Sequence, residues 1–226
     1  MIKAVFFDAI KTLFAPYPSE IELYQNVVKQ IADIDVPREK MIAILEKALR
    51  ETEILDSVQE NSIQQWEYYP EKIAALVGCE KEACAAVGEK LRFETWGNPS
   101  NYRLYDDVIP TLELIKAKGL YIACISNEDG WLPDFFAHFR LNRYFSYILA
   151  SADAGYEKPH PKIFEKALAE TGQCAEEILF VGDSFLSDYL GSSAMGMKAV
   201  LIDRKQEITD DSIITIANLK DIKDYL

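Results

Sequence analysis

Ala4-Val5-Phe6-Phe7-Asp8-Ala9-Ile10-Lys11-Thr12-Leu13 is the stretch that decides how the rest of the chain is read. An apolar run climbs to one carboxylate, and a threonine follows four residues later. A short continuous apolar run of this kind suits a strand buried on both faces, as in a parallel sheet. Such a strand delivers Asp8 to the sheet's carboxyl edge, where open α/β sheets hold their ligands. On this stretch alone Asp8 serves equally well as a cap of the following turn. Its role depends on what the later chain brings to the same edge.

Working outward, the residues after Leu13 change to helical spacing and keep it through residue 98. Ser19 followed by Glu22 is a capping box, and Ile21, Tyr24, Val28 and Ile31 continue from it at helical intervals. Pro37 suits a first turn, ahead of an apolar face of Met41, Ile44, Leu45 and Leu49. Ser62 with Gln65 forms a second capping box leading into Trp66, Ile73 and Leu76, with a kink or break expected at Pro70. Lys81 to Phe93 reads as a fourth helix through Cys84, Val87 and Leu91. The cluster Gly97-Asn98-Pro99-Ser100-Asn101 ends the helical segment.

From there strands and helices alternate. Helix 108–118 stops at Gly119, and the strand 120–125 ends at Ser126-Asn127. A helix marked by Trp131, Phe135, Phe136 and Phe139 precedes a strand at 147–150, and a helix starts at Pro161. The strand 178–181 ends at Gly182-Asp183-Ser184, and the strand 198–202 follows a further helix. A weaker apolar run at 213–216 and a short terminal helix close the chain. Alternation of this kind predicts an α/β fold, a doubly wound parallel sheet with helices on both faces. The first strand belongs with that block. The expected domains are therefore a core of residues 1–15 and 99–226 and an inserted all-helical domain of residues 16–98.

Composition limits the partners. Of the 226 residues, 49% are hydrophobic, ample for a core, and the net charge is −13. An acidic surface argues against nucleic acid and anionic membrane, since both call for basic patches. No apolar run approaches the roughly 20 residues of a membrane span. Asp8 interrupts the only early apolar run, which argues against a signal peptide, so a cytoplasmic location is the expectation. Cys79, Cys84, Cys124 and Cys174 make no CxxC pair, and incidental or buried thiols are the expected reading. Monomer and homodimer both stay open. Trp66, Tyr68, Tyr69 and Trp96 could form an aromatic contact surface, although internal packing is the expected use of most of them.

Four strand ends carry polar residues that can converge: Asp8 with Thr12; Ser126-Asn127; Lys158 within Gly155-Tyr156-Glu157-Lys158-Pro159-His160-Pro161; and Asp183 with Asp188 in Gly182-Asp183-Ser184-Phe185-Leu186-Ser187-Asp188. Taken singly, each is read as a turn cap or a solvated charge. Taken together they suit phosphoryl transfer, which needs a nucleophile, a hard cation against the phosphate oxygens, and positioned donors. Asp8 can be a carboxylate nucleophile that forms an aspartyl-phosphate. Asp8 and Asp183 offer oxygen ligands to Mg²⁺, while Lys158 and Ser126 hold the transferring group.

This order and spacing resembles the haloacid dehalogenase-like hydrolase superfamily over residues 1–15 and about 100–226, with the helical insert resembling the cap of its helical-cap subclass. The resemblance implies that Asp8 is the nucleophile, Ser126 the second-motif hydroxyl and Lys158 the third-motif lysine. Asp183, and less directly Asp188, would serve Mg²⁺ together with Asp8 and the backbone carbonyl of Ile10. Thr12, Ser126, Asn127 and Lys158 are then the expected contacts to phosphate or substrate, and a small phosphorylated metabolite is the expected substrate.

One departure matters. Phosphatases of the superfamily carry a second Asp two residues after the nucleophile, then Gly; here the residues are Ile10 and Lys11. That Asp protonates the leaving oxygen and later activates water. Ile10 does neither, and a positioned acid/base is worth about 10² to 10⁴ in rate. The superfamily's dehalogenases carry Tyr at the position and need no metal. A metal-independent 2-haloacid dehalogenase therefore remains an alternative, as does a non-catalytic binding or regulatory member. A phosphonate hydrolase would call for a lysine from the helical insert, and nothing singles out Lys40 or Lys47 for that task.

Overall fold

In the computed structural model, which describes residues 1–56 and 63–226, β1 (Ala4–Phe7) lies in the middle of a parallel sheet. It is flanked by β4 (Tyr121–Ser126) and β6 (Ile178–Gly182), with Phe7 level with Cys124 on one side and Val181 on the other. With β5 (Tyr147–Ala150), β7 (Lys198–Ile202) and β8 (Thr215–Ile216) the order is β5-β4-β1-β6-β7-β8. Every pairing in it is parallel. Strands covered on both faces have no water-facing side, which is why they read as unbroken apolar runs.

Alternate residues of β1 serve opposite faces. Phe6 packs with Ala123, Ile125 and Phe180 against Ile163, Phe164 and Ala167 of α7 (Pro161–Thr171). Phe7 instead meets Phe145 edge-on at 6.2 Å, and Phe145 packs on Phe136 of α6 (Leu132–His138) at 4.8 Å. All of these rings except Phe145 are fully buried, Phe145 nearly so. Each contributes about 1.5–3 kcal/mol by leaving water. The crossover α5 (Val108–Ala117) ends where Gly119 takes a φ of +70°, the left-handed stop that glycine supplies without strain.

The chain divides into two compact units, Met1–Ala15 with Leu104–Leu226, and Pro16–Arg103. In the second, α1 (Glu20–Ala32) is capped as its sequence predicts: the Glu22 N–H donates to Ser19 Oγ at 3.3 Å and the Ser19 hydroxyl returns a bond to the Glu22 carboxylate at 2.5 Å. Its buried stripe is Leu23, Tyr24, Val27 and Val28; Ile31 is exposed instead of continuing the face. In α2 (Arg38–Asp56) the stripe runs Met41, Ile44, Ala48, and Leu49, about 100° further round the helix, is exposed. Of the kink or break expected at Pro70, the break does not occur: α3 (Ile63–Val77) runs through it, with Tyr69 and Pro70 both buried. Burial of this face outweighs the one backbone hydrogen bond a proline forfeits.

The fourth helix is shorter than its periodicity suggests. α4 (Lys81–Glu89) passes into a π-helical turn over Lys90–Trp96, where the Thr95 hydroxyl bonds the Lys90 carbonyl at 3.1 Å. Trp96 donates its indole N–H to the Tyr24 hydroxyl at 3.1 Å and packs on Tyr69. Two of the four aromatic residues thus pack internally. Ser62, the proposed cap of α3, lies outside the described residues.

Two short strands escape a reading by periodicity, β2 (Phe14–Pro16) and β3 (Tyr102–Leu104), which pair where the chain leaves and re-enters the core. Among the described residues no helix is long and apolar enough to cross a membrane.

Candidate active site

Asp8 sits one residue past β1, its N–H bonded to the Val181 carbonyl at 2.9 Å. Three side chains from three other segments meet its carboxylate. Ser126, the last residue of β4, donates to Oδ1 at 2.9 Å. Lys158 Nζ donates to the same oxygen at 2.8 Å. The Thr12 hydroxyl donates to Oδ2 at 3.2 Å. All four residues are buried.

Lys158 is held on every side. Its ammonium also donates to the Ile125 carbonyl at 2.7 Å and to Asp188 Oδ1 at 2.6 Å, which accounts for its three protons. Burial alone lowers a lysine's pKa, but the Asp188 and Asp8 carboxylates outweigh it and hold this ammonium above its ordinary range. Its backbone is fixed by Asn127, which accepts the Lys158 N–H at 2.7 Å and donates to the Lys158 carbonyl at 2.8 Å. The Asn127 amide, expected among the phosphate or substrate contacts, thus has both polar ends on the main chain of Lys158.

The second acidic strand end folds back on the first. Asp188 Oδ2 accepts the Ser184 N–H at 2.9 Å, and a π-helical turn over Phe185–Leu190 carries the residue back under β6. Gly182 makes that return possible, because a Cβ there would collide with Asp188 Cγ. Asp183 differs from its neighbours. Among the described residues no hydrogen bond or ion pair reaches its carboxylate.

Asp8, Asp183 and Asp188 bring one oxygen each within 4.8 Å of one another. Burial, then Asp8 and Asp188, push Asp183 up to about 8. Burial pushes Asp188 to about 6 against the pull of Lys158. Were all three carboxylates ionised they would exceed the charge of the Lys158 ammonium, and a bound divalent cation would offset that excess. The donors are hard oxygens, the set that Mg²⁺ prefers. The turn also leaves an acceptor free. The Ala9 carbonyl accepts from Leu13 and Phe14, the Lys11 N–H donates to Phe14, and no donor meets the Ile10 carbonyl among the described residues. The residues present therefore fit Mg²⁺.

A thermal melt tests the fit. The native pKa of Asp183 lies above the ordinary ~3.9, so the native state keeps a proton that the unfolded chain releases. Metal-free stability then falls as pH rises from about 4 towards 8. A bound divalent cation relieves that cost and must displace the proton. Saturating MgCl₂ at a hundred times Kd is worth about 2.7 kcal/mol, or roughly 5–10 °C for a chain of this size. We expect the increment to be larger at pH 8 than at pH 6 and to vanish in Asp183→Asn. An equal increment at both pH values would count against cation binding at Asp183.

Two features escaped a reading by motifs. Glu128, two residues after Ser126, has its carboxyl pushed well above the ordinary range by burial and then by Asp8. The only signal for it was its place in the loop after a buried strand. Arg204 and the buried Asp107 form an ion pair at 2.9 Å, and Arg204 reaches the Thr12 carbonyl at 2.8 Å. No local pattern announces two residues that far apart in sequence.

A parallel α/β sheet gathers a buried Asp, Ser and Lys and an acidic pair at its carboxyl edge, an arrangement suited to a hydrolase. The chain belongs to the haloacid dehalogenase-like hydrolases, whose family model matches residues 2–196. It is 32% identical to the human haloacid dehalogenase-like hydrolase domain-containing protein 3 over 123 residues, 54% of this chain and 49% of that protein. The chain thus spans about half the length of that relative. It is 27% identical over 210 residues to a glyceraldehyde 3-phosphate phosphatase of Methanopyrus kandleri, 90% of this chain and 85% of that one. In fold it is similar to YfnB of Bacillus subtilis, solved bound to magnesium, with a TM-score of 0.83 at 16% identity over 100% and 98% of the two chains.

Proposed function

We propose that the chain is a Mg²⁺-dependent phosphatase acting on a small phosphorylated metabolite through an aspartyl-phosphate at Asp8. The observation that carries this reading is the convergence of Ser126, Lys158 and Thr12 on one buried carboxylate, beside the acidic pair Asp183 and Asp188. The phosphatase named among its relatives, matched over nine-tenths of the chain, supports a phosphomonoester as substrate.

An Asp8 oxygen attacks phosphorus in line, the bond to the ester oxygen breaks, and the departing oxygen carries the electron pair away. Ser126 and Lys158 keep the Asp8 carboxylate from rotating. Asn127 keeps the Lys158 backbone in place. Water then attacks phosphorus and releases Asp8 and inorganic phosphate. When bound at Asp8, Asp183, Asp188 and the Ile10 carbonyl, Mg²⁺ supplies positive charge against the phosphate oxygens. Ile10 donates no proton, so substrates whose leaving oxygen is stable as an anion react best. We assign substrate selection to the helical unit, as a cap.

The test is p-nitrophenyl phosphate hydrolysis with and without Mg²⁺. Turnover that needs the metal supports the reading. Release of halide from a short 2-haloacid with no metal present would replace it with a dehalogenase. Silence in both assays, with Mg²⁺ and phosphate still bound, would favour a binding protein of the same fold.

A further inference from the structure

Arg204 stands two residues past β7 and beyond residue 196, where the family match ends. Its guanidinium forks onto Asp107, Nη1 to Oδ2 at 2.9 Å and Nη2 to Oδ1 at 3.2 Å. Nη2 also donates to the Thr12 carbonyl at 2.8 Å. The guanidinium carbon lies 3.6 Å from the centroid of the Tyr105 ring, and the Tyr105 N–H donates to the Leu13 carbonyl at 3.2 Å. Asp107 accepts a third bond, from the Leu219 N–H at 2.8 Å. The exit of β7 and the segment leading into α5 therefore converge on two successive carbonyls of the turn after β1, and the C-terminal turn is bonded to Asp107 behind them.

That turn needs holding. Lys11 adopts a φ of +64°, in the left-handed region, which costs a non-glycine residue about 1–3 kcal/mol. Its internal bonds, Lys11 N–H to the Phe14 carbonyl and Leu13 N–H to the Ala9 carbonyl, both 2.7 Å, close the loop without tying it to the rest of the core. Thr12 sits at its centre. The carbonyl is held by Arg204 and the hydroxyl is on Asp8.

We propose that Arg204 is a positioning residue: by gripping the Thr12 carbonyl, with Asp107 and Tyr105 fixing its plane, it sets the rotation of the Asp8 carboxylate through the Thr12 hydroxyl. This rests on Asp8 being the nucleophile. A planar fork is what the task requires. A lysine ammonium can pair with Asp107 but cannot span both oxygens and the Thr12 carbonyl at once. Arg204→Lys is therefore the informative change, because it keeps the buried Asp107 paired, whereas removing the charge altogether would unbalance the core.

The experiment compares wild type, Arg204→Lys, Thr12→Val and the double variant by amide exchange and by p-nitrophenyl phosphate kinetics. In Arg204→Lys the Lys11, Leu13 and Phe14 amides should exchange about tenfold faster while β6 amides keep their rates. The kcat should fall about ten- to a hundredfold with KM held within about twofold, as loss of orientation predicts. The double variant should be no slower than Thr12→Val alone, because both changes cut the same linkage. Asp107→Asn, which keeps an acceptor for Leu219 while weakening the fork, should give the same pattern at smaller size if Arg204→Lys folds poorly. Unchanged exchange in the turn overturns the proposal whatever the activity, and so do kcat losses that multiply in the double variant. Turnover that survives Asp8→Asn removes the nucleophile reading instead, and the exchange result still decides whether Arg204 holds the turn.

Discussion

Asp8→Asn is expected to lower Mg²⁺-dependent phosphatase turnover by at least about a thousandfold, the scale on which loss of a covalent nucleophile is felt. The geometry makes this a clean substitution. The asparagine oxygen can replace Oδ1, accepting from Ser126 and Lys158 at the places where the carboxylate accepts them at 2.9 and 2.8 Å. Its amide nitrogen then faces the Thr12 hydroxyl, which can accept as readily as it donates. Lys158 keeps the Asp188 carboxylate and the Ile125 carbonyl. The ammonium is therefore not left unpaired in a dry site, the condition that makes single changes in buried ion pairs costly. Loss of turnover with an unchanged melting temperature and circular dichroism spectrum, and with the Mg²⁺ increment in melting temperature retained, isolates the chemistry. Turnover within about tenfold of wild type would remove Asp8 from the mechanism, since an amide there neither forms the aspartyl-phosphate nor replaces a carboxylate ligand of the cation.

How much of this site could be read from residues follows from where each of its bonds is made. The strand ends were legible because an apolar run followed by one polar residue is a local pattern: Asp8, Ser126 and Asp183 each follow one directly. Lys158 was legible only through the proline-rich loop around it, and Asp188 only as a second acid in a glycine-led loop. Among the described residues most helices were legible, the short one at Ser151–Ala154 excepted, but their faces were not. Leu49 and Ile31 fit a helical period as well as Ala48 and Val27 do, and which of them is buried depends on partners elsewhere in the chain. The backbone chemistry of Pro70 predicts a kink or break, and packing keeps the helix unbroken through it. The Asn127 bonds to Lys158 and the clasp of Arg204, Asp107 and Thr12 join segments far apart in sequence. Periodicity carries no information about such contacts. The two short strands β2 and β3 were missed for the same reason, each being too brief to show an alternation of its own.

Ile10→Asp is expected to raise turnover, and the size of the gain depends on the leaving group. Restoring a proton donor next to the nucleophile should increase kcat on an alkyl phosphate by about 10² to 10⁴. On p-nitrophenyl phosphate, whose leaving anion needs no proton, the first step gains little, and only the later attack of water on the aspartyl-phosphate speeds up. The backbone is already suited to the change. Position 10 is half-buried in a turn whose hydrogen bonds are made by the backbone groups of Ala9, Lys11, Leu13 and Phe14, none of which uses the Ile10 side chain. A fourth carboxylate near Asp8, Asp183 and Asp188 adds repulsion, which raises the pKa of the new acid. For a group that must hold a proton near neutral pH before giving it up, that shift helps. The added charge also strengthens the case for a bound divalent cation, so the gain should appear only with Mg²⁺ present. Ile10→Asn is the control: it matches the shape of Asp and cannot protonate a leaving oxygen, and it should leave alkyl phosphate turnover near wild type. If Asp and Asn raise it equally, the benefit comes from polarity or packing and the acid/base account of position 10 fails. If Asp helps both substrates by the same factor, protonation of the leaving group is not the barrier that Ile10 leaves in place.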